Sequence, residues 1–283
     1  MHLIQHIQRD QEILIDADSR LRDEVDFHIW WLGQSGYLLQ WKGQRILIDP
    51  YLSNSLTVKY QGTKKPHVRM SEIVIDPSLL KNIIAVSSSH NHTDHLYAET
   101  LGPIIRNNPG ITMIIPEANR TFVTDRIKSE HDFPIGLNDG RSYTVGPFTY
   151  HGIPAKHNEI DRDANGNCKY MGYVIEFGPY KLYHSGDTLW FSGMEDYLKP
   201  FEVDLALLPI NGNDPTREVA GNLDTKEAPQ LAKAMGAKMV IPCHYDMFEF
   251  NTADPSDFIK EAQSIAQPHF VLKLGEHFSS EQI

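Results

Sequence analysis

Cysteine is nearly missing from this chain: among 283 residues only Cys168 and Cys243 occur, with no C-x-x-C pair and no spacing that suggests a disulfide framework. That excludes a disulfide-stapled scaffold and makes a reducing cytoplasm the expected compartment. No apolar run of about 18 residues is present, so no bilayer-spanning helix and no membrane role are expected. The opening segment Met1-His2-Leu3-Ile4-Gln5-His6-Ile7 is too polar to read as a signal peptide. Positive charge is also short, with 26 Lys and Arg against 37 Asp and Glu and a net charge of -11. A nucleic-acid footprint needs a basic surface, so nucleic-acid partners are not expected. Internal repeats and low-complexity segments are absent.

What is present is histidine, and it is concentrated. Ser89-His90-Asn91-His92-Thr93-Asp94-His95 follows the apolar run Ile83-Ile84-Ala85-Val86. A strand ending in a tight loop can turn His90 and His92 toward one point and Asp94 and His95 toward a neighbouring one, giving two adjacent nests of imidazole and carboxylate ligands. No thiolate takes part, and Cys243 reads as a buried, inert thiol.

The rest of the chain supplies further candidates at strand tips. Phe27 to Asp49 reads as antiparallel strands broken by a Gly-containing turn, with Asp49 closing the run before Pro50. Residues 51 to 72 form a long, locally basic loop with Lys59, Lys64, Lys65 and Arg69. Helical spacing over 96–107 and 117–128 flanks a strand at 111–115, and a strand pair around Gly146-Pro147 leads to Lys156 and His157. The stretch Asp161 to Asn167 begins like a calcium loop, but its twelfth position is Gly172, which excludes that reading. A strand through His184 delivers Asp187 beside Gly186, where a sharp turn is permitted; His184 itself is assigned no ligand role. A strand over 203–211, a helix from Asp224, a strand ending at His244, a helix over 255–267 and a last strand over 270–274 complete the reading.

These motifs resemble the metallo-β-lactamase superfamily of metal-dependent hydrolases, from about Phe27 to Gly275. The resemblance is nearest to the ascorbate-6-phosphate lactonase-like group, through Trp31-Leu32-Gly33-Gln34-Ser35-Gly36, Ile48-Asp49-Pro50-Tyr51-Leu52, Leu208-Pro209-Ile210-Asn211-Gly212 and Ile241-Pro242-Cys243-His244-Tyr245-Asp246-Met247-Phe248. It implies an α+β fold, a four-layer αββα sandwich with the site along one edge of two sheets. A single domain over 1–283, with 1–25 as an N-terminal extension, is expected. Residue by residue, the resemblance implies that His90, His92 and His157 hold one ion, that Asp94, His95 and His244 hold a second, and that Asp187 bridges them. Asp49 would orient a ligating histidine from behind.

The implied cofactor is two divalent ions per chain, Zn or Mn, with Fe also compatible. A divalent ion lowers the pKa of its water toward about 7, so hydrolysis of a small anionic lactone or ester by metal-bound hydroxide is expected. Asp94 and Asp187 are the expected catalytic carboxylates. Lys64, Lys65, Arg69, Lys156 and Asn211 are the expected substrate contacts. Diiron oxidoreductase relatives carry a glutamate where His92 stands, which disfavours redox chemistry. A phosphodiesterase or nuclease of the same superfamily, and a non-catalytic metal-binding protein, are the alternatives. Self-association is left open.

Overall fold

A computed structural model describes residues 3–283; the first two positions of the expected 1–283 domain lie outside the described residues. Alternation of side chains along a strand requires a buried strand to find partners on both faces, and the first three strands show this. β1 (Phe27–Gly33), β2 (Gly36–Trp41) and β3 (Gln44–Ile48) form an antiparallel meander. Ile29, Trp31, Tyr37 and Leu39 point to one core, while Trp30, Leu32, Leu38 and Leu47 point to another. The second core is closed by Ile13 and Ala17 of α1 (Gln11–Ser19) and by helices described below. Segment 3–25 is thus bonded into the body, with Gln40 donating to the Ala17 carbonyl and Arg45 paired with Asp18. Each buried aromatic ring contributes roughly 4–6 kcal/mol of gross transfer free energy, before entropy is deducted.

Beyond β3 the chain turns through α2 (Ser55–Lys59), then adds β4 (Ile83–Ser87), β5 (Thr112–Pro116) and β6 (Pro134–Leu137), all parallel to β3. Parallel neighbours need crossovers. These are provided by α3 (Ala98–Asn107) and α4 (Arg120–Ile127), whose Leu101, Ile104 and Val123 cover the second core. The second sheet follows: β7 (Ser142–Val145), β8 (Phe148–Pro154), β9 (Met171–Phe177), β10 (Tyr180–His184), β11 (Leu205–Pro209) and β12 (Met239–Cys243). α5 (Met194–Leu198), α6 (Glu227–Met235) and α7 (Pro255–Ser264) belong to this half, with α6 packing Leu231, Ala232 and Met235 against it. β13 (His277–Ser279) returns to pair with β1. The strand orders are β13-β1-β2-β3-β4-β5-β6 and β12-β11-β10-β9-β8-β7. Rings such as Phe27 and Phe177 meet edge-on at 5.5 Å between the sheets, so the architecture is the expected helix, sheet, sheet, helix sandwich.

Two local expectations are corrected. Residues 270–274 are not a strand: the segment contributes the Phe270 N–H to the Val240 carbonyl and an isolated bridge between His269 and Val240, and the true last strand lies at His277–Ser279. The 51–72 stretch, expected as a loop throughout, holds the short helix α2 and buries Arg69.

Candidate metal centre

All the carboxyl-terminal ends that matter point the same way within each sheet. β3 and β4 are parallel, so Asp49 and the 90–95 loop emerge side by side. β8, β10 and β12 run in one direction, β9 being antiparallel to both β8 and β10, and they release His157, Asp187 and His244 at that edge. The two edges touch at Gly186. Its φ is +59°, and a Cβ there would lie 2.6 Å from the Ser89 Cβ and 2.8 Å from the Met171 carbonyl oxygen. Only glycine lets the Asp187 turn approach the histidine loop this closely.

The seven expected ligand residues are brought together. Ligand atoms of His90, His92 and His157 lie within 4.8 Å of one another, as do those of Asp94, His95 and His244, and those of His90, His95 and Asp187. Asp187 lies between the nests, with Oδ1 3.4 Å from His95 Nε2, and Oδ2 3.4 Å from His244 Nε2 and 3.7 Å from His157 Nε2. Asp94 Oδ2 is 3.6 Å from His244 Nε2 and 3.7 Å from His95 Nε2. These separations exceed hydrogen bonds. Among the described residues, the buried atoms His90 Nε2, His95 Nε2 and Asp187 Oδ1 have no hydrogen-bond partner. Unsatisfied buried polar atoms cost free energy, and a divalent ion at their meeting point would remove that cost, so the donor set fits such an ion.

Hydrogen bonds behind the cluster fix which ring nitrogen faces inward. Asp49 is fully buried; Oδ1 accepts from the Ser89 N–H at 2.7 Å, and Oδ2 accepts from Ser89 Oγ at 2.5 Å and from His95 Nδ1 at 2.6 Å. With its proton given to Asp49, Ser89 Oγ accepts from His90 Nδ1 at 3.0 Å, and His157 Nδ1 donates to the Gly221 carbonyl at 3.0 Å. Each of these three rings therefore holds its Nδ1–H outward and presents Nε2 to the centre. Gln34, from the turn between β1 and β2, donates through Nε2 to Asp94 Oδ2 at 2.9 Å and sits 3.1 Å from His244 Nε2. Gln34, Asp49 and His244 all adopt positive φ, at 52°, 42° and 65°. Non-glycine residues held there cost of the order of 1–3 kcal/mol each, and such strain gathers at working sites.

The electrostatics call for positive charge. Burial opposes protonation of His95, but Asp187, Asp94 and Asp49 outweigh it and hold its pKa well above the usual range. Burial likewise opposes ionisation of Asp187, yet His244 and His95 keep its carboxyl well below the usual range. Burial depresses His90 strongly, with His95 and His92 adding to it, and pushes His92 down to about 4. Burial also keeps His157 below its ordinary value despite Asp187, so the 3.7 Å approach of those two is not an ion pair.

A cavity of about 600 Å³ opens over the cluster and includes Asp94, Asp187 and Tyr170 in its wall. Of the five expected substrate contacts, Lys65 lines it and four do not. Lys64 stays exposed outside it. Arg69 is 9% exposed, its Nη2 donates to the Ser53 carbonyl at 2.8 Å, and its guanidinium lies 5.4 Å from the Tyr51 ring, so it braces the loop. Lys156 anchors the Asp187 turn through its backbone, the N–H donating to Thr188 Oγ1 and the carbonyl accepting from the Leu189 N–H. Asn211 lies behind the wall, bonded to Asn222 and Asn251. Sequence reasoning missed Gln34, Tyr170 and Arg126 as parts of the site, and it grouped Lys59 with the basic loop without naming it among the substrate contacts. Tyr170 lies 5.3–5.8 Å, ring to ring, from His90, His92 and His157, and its hydroxyl makes no hydrogen bond among the described residues.

Residues 28–244 match the family described as a beta-lactamase superfamily domain. One relative, the UPF0173 metal-dependent hydrolase of Methanosarcina mazei, is 30% identical over 244 residues, covering 85% of this chain and 92% of that protein. A possible metal-dependent hydrolase from Veillonella parvula aligns with a TM-score of 0.71 at 19% identity, over 89% of this chain and 98% of that one. The isothiocyanate hydrolase from Delia radicum gut bacteria gives a TM-score of 0.69 at 18% identity, again over 89% and 98%. At such identities the two structures speak for the fold. The family match covers more than half of the chain, and the archaeal relative is matched over nearly its whole length; the chain belongs to the metallo-β-lactamase superfamily, in the family of UPF0173 metal-dependent hydrolases.

Proposed function

We propose that the protein is a cytoplasmic hydrolase that holds two divalent ions, Zn or Mn, and cleaves a small anionic lactone or ester, as the lactonase-like resemblance suggests. The observation that supports it most is the meeting of seven ligand-type side chains from both sheets around buried, unpartnered His90 Nε2, His95 Nε2 and Asp187 Oδ1. His90, His92 and His157 form one nest, Asp94, His95 and His244 the other, and Asp187 spans them. Bound ions would lower the pKa of water toward about 7 and polarise the scissile carbonyl.

The chain's own groups do the rest. Asp49, Ser89 and the Gly221 carbonyl hold the outward Nδ1 protons of His95, His90 and His157, so Nε2 is the nitrogen each ring offers to an ion. Asp94 is the one carboxylate of the cluster with notable exposure, 15% of its side chain, and faces the cavity; with a single ion held in the other nest it would be free to accept a proton instead of ligating. Tyr170 offers a phenolic O–H on the same wall for the developing negative oxygen. A cavity of about 600 Å³ suits a small molecule better than a polymer, and the net charge of -11 argues against nucleic acid.

The test joins metal analysis by mass spectrometry with melting temperature and a panel of lactones, esters and phosphodiesters. Chelation should remove up to two ions, lower the melting temperature and abolish turnover, and Zn or Mn should restore all three. Metal-free protein that still turns over a lactone or ester at the full rate would overturn the reading.

A further inference from the structure

The catalytic cavity adjoins a second hollow of about 740 Å³ that includes Tyr97, Glu99 and Asp125. Four residues line both spaces: Lys59, Thr93, Phe122 and Arg126. They form the junction. Lys59 comes from the end of α2 and Arg126 from the end of α4, so the two lie far apart in the chain.

The cations of the catalytic cavity are not equivalent. Lys65 Nζ is 3.5 Å from Glu218 Oε2 and also donates to the Glu218 carbonyl. Burial depresses His67, whose Nδ1–H donates to the Lys65 carbonyl, so it is neutral near pH 7. Lys59 and Arg126 have no carboxylate within 4.0 Å among the described residues. Lys59 Nζ reaches Thr93 Oγ1 at 3.5 Å and lies 5.0 Å from the Tyr60 ring. Arg126 uses Nη1 to hold the Asn91 and Leu96 carbonyls, 2.8 and 3.0 Å away, and lies over Phe122 at 4.2 Å; its Nη2 and Nε make no hydrogen bond among the described residues. In a chain with 37 acidic side chains, two cations without acidic partners at the mouth of a cavity are an anion receptor in charge and in donor supply.

We propose that Lys59 and Arg126 form a subsite for a carboxylate or phosphate group of the substrate, an inference that rests on the hydrolase reading above. Thr93 stands between His92 and Asp94, so an anion held at Lys59 lies one residue from the metal nests. The remainder of the substrate lies on Phe122 and Tyr97 in the outer hollow. Glu99 and Asp125 in the lining of that hollow repel a second negative group, so the ligand is anionic at one end and neutral at the other.

The test measures binding and not turnover, so it stands apart from the fate of the hydrolase reading: protein that binds the anion through Lys59 but cleaves no ester sinks that reading alone. Zinc-loaded protein is titrated calorimetrically with inorganic phosphate and, separately, with glutarate, in wild type, Lys59→Gln and Lys59→Glu. Lys59 is exposed at the end of its helix, and zinc content checks that the fold and the nests are intact. Loss of a charge-assisted hydrogen bond should weaken binding by about tenfold or more in Lys59→Gln and further in Lys59→Glu. Weakening toward phosphate alone assigns a phosphorylated substrate, and toward glutarate alone a carboxylate; either supports the subsite. Dissociation constants within about twofold of wild type for both probes, in both variants, would overturn it.

Discussion

Replacing Asp49 with Asn keeps shape and volume but reverses one half of the group from acceptor to donor. In the native protein Oδ2 takes two protons, one from Ser89 Oγ and one from His95 Nδ1, while Oδ1 takes the Ser89 N–H. An amide has one oxygen, so in either orientation an NH2 group meets a donor. His95 escapes by moving its proton to Nε2, which removes the lone pair it presents to the centre. Loss of such a supporting partner costs roughly 10- to 100-fold in metal affinity, about 1.4–2.7 kcal/mol. The metal-free protein suffers separately. Breaking one side of a buried pair costs about 3–5 kcal/mol, and the lower end applies because Asp187 and Asp94 still stand beside His95. At roughly 2–4 °C per kcal/mol, about 3 kcal/mol lowers the melting temperature by roughly 6–12 °C. Zinc affinity is read by competition with a chromophoric chelator, and stability by calorimetry on chelated protein. Ser89→Ala, which removes one donor and leaves the Asp49 to His95 bond, should have the smaller effect on both. Wild-type affinity together with a wild-type melting temperature in Asp49→Asn would refute the claim that this bond sets the tautomer of His95.

Two further outcomes are expected. Asp187→Ala should lower occupancy of both nests, because its two oxygens face His95 on one side and His157 and His244 on the other; two tightly held ions per chain in that variant would remove Asp187 from between them. At the β1 to β13 edge, His28 Nδ1 and His277 Nε2 lie 3.0 Å apart, burial depresses His28, and burial, with Arg20 adding to it, pushes His277 down to about 4. The unfolded chain protonates near 6.5 while the native state resists, so stability should fall as pH drops from about 6.5 to about 4; His277→Gln should flatten the melting temperature against pH in that window, and parallel curves would count against it.

The sequence showed the parts of the site whose chemistry is local. His90, His92, Asp94 and His95 are legible because four ligand types fall within six positions after a strand, Asp187 because it sits beside a turn-permitting glycine at a strand end, and His244 because it follows the apolar run 239–243. Gln34 is invisible to that reasoning: a neutral amide is no metal-ligand type, and its role depends on a positive φ that brings a hairpin turn over Asp94. Arg69 misled for the opposite reason. A guanidinium in a basic loop beside the site reads as a substrate contact, and only the folded loop reveals the Tyr51 ring and the Ser53 carbonyl that absorb it. Residues 270–274 carry a strand-like apolar run, but they bond β12 only through the Phe270 N–H, beside a lone bridge at His269, so composition was satisfied and pairing was not. Lys59 and Arg126 line the same junction only because α2 and α4 flank one loop, a fact of topology that no spacing records.

The division of the centre between two sheets makes it a sensor of assembly. One sheet contributes Asp49, His90, His92, Asp94 and His95, the other His157, Asp187 and His244, and the halves meet where Gly186 lies against Ser89. A chain in which each sheet had formed but the two had not yet docked would carry two incomplete ligand sets and no high-affinity site. Metal capture would then belong to the final act of folding, and an ion held by residues of both sheets would act as a clasp across the seam. At a free concentration of about 1,000 times its dissociation constant it adds roughly 4 kcal/mol to that closure, so scarcity of metal would be felt first as a loosening between the sheets and only afterwards as lost chemistry.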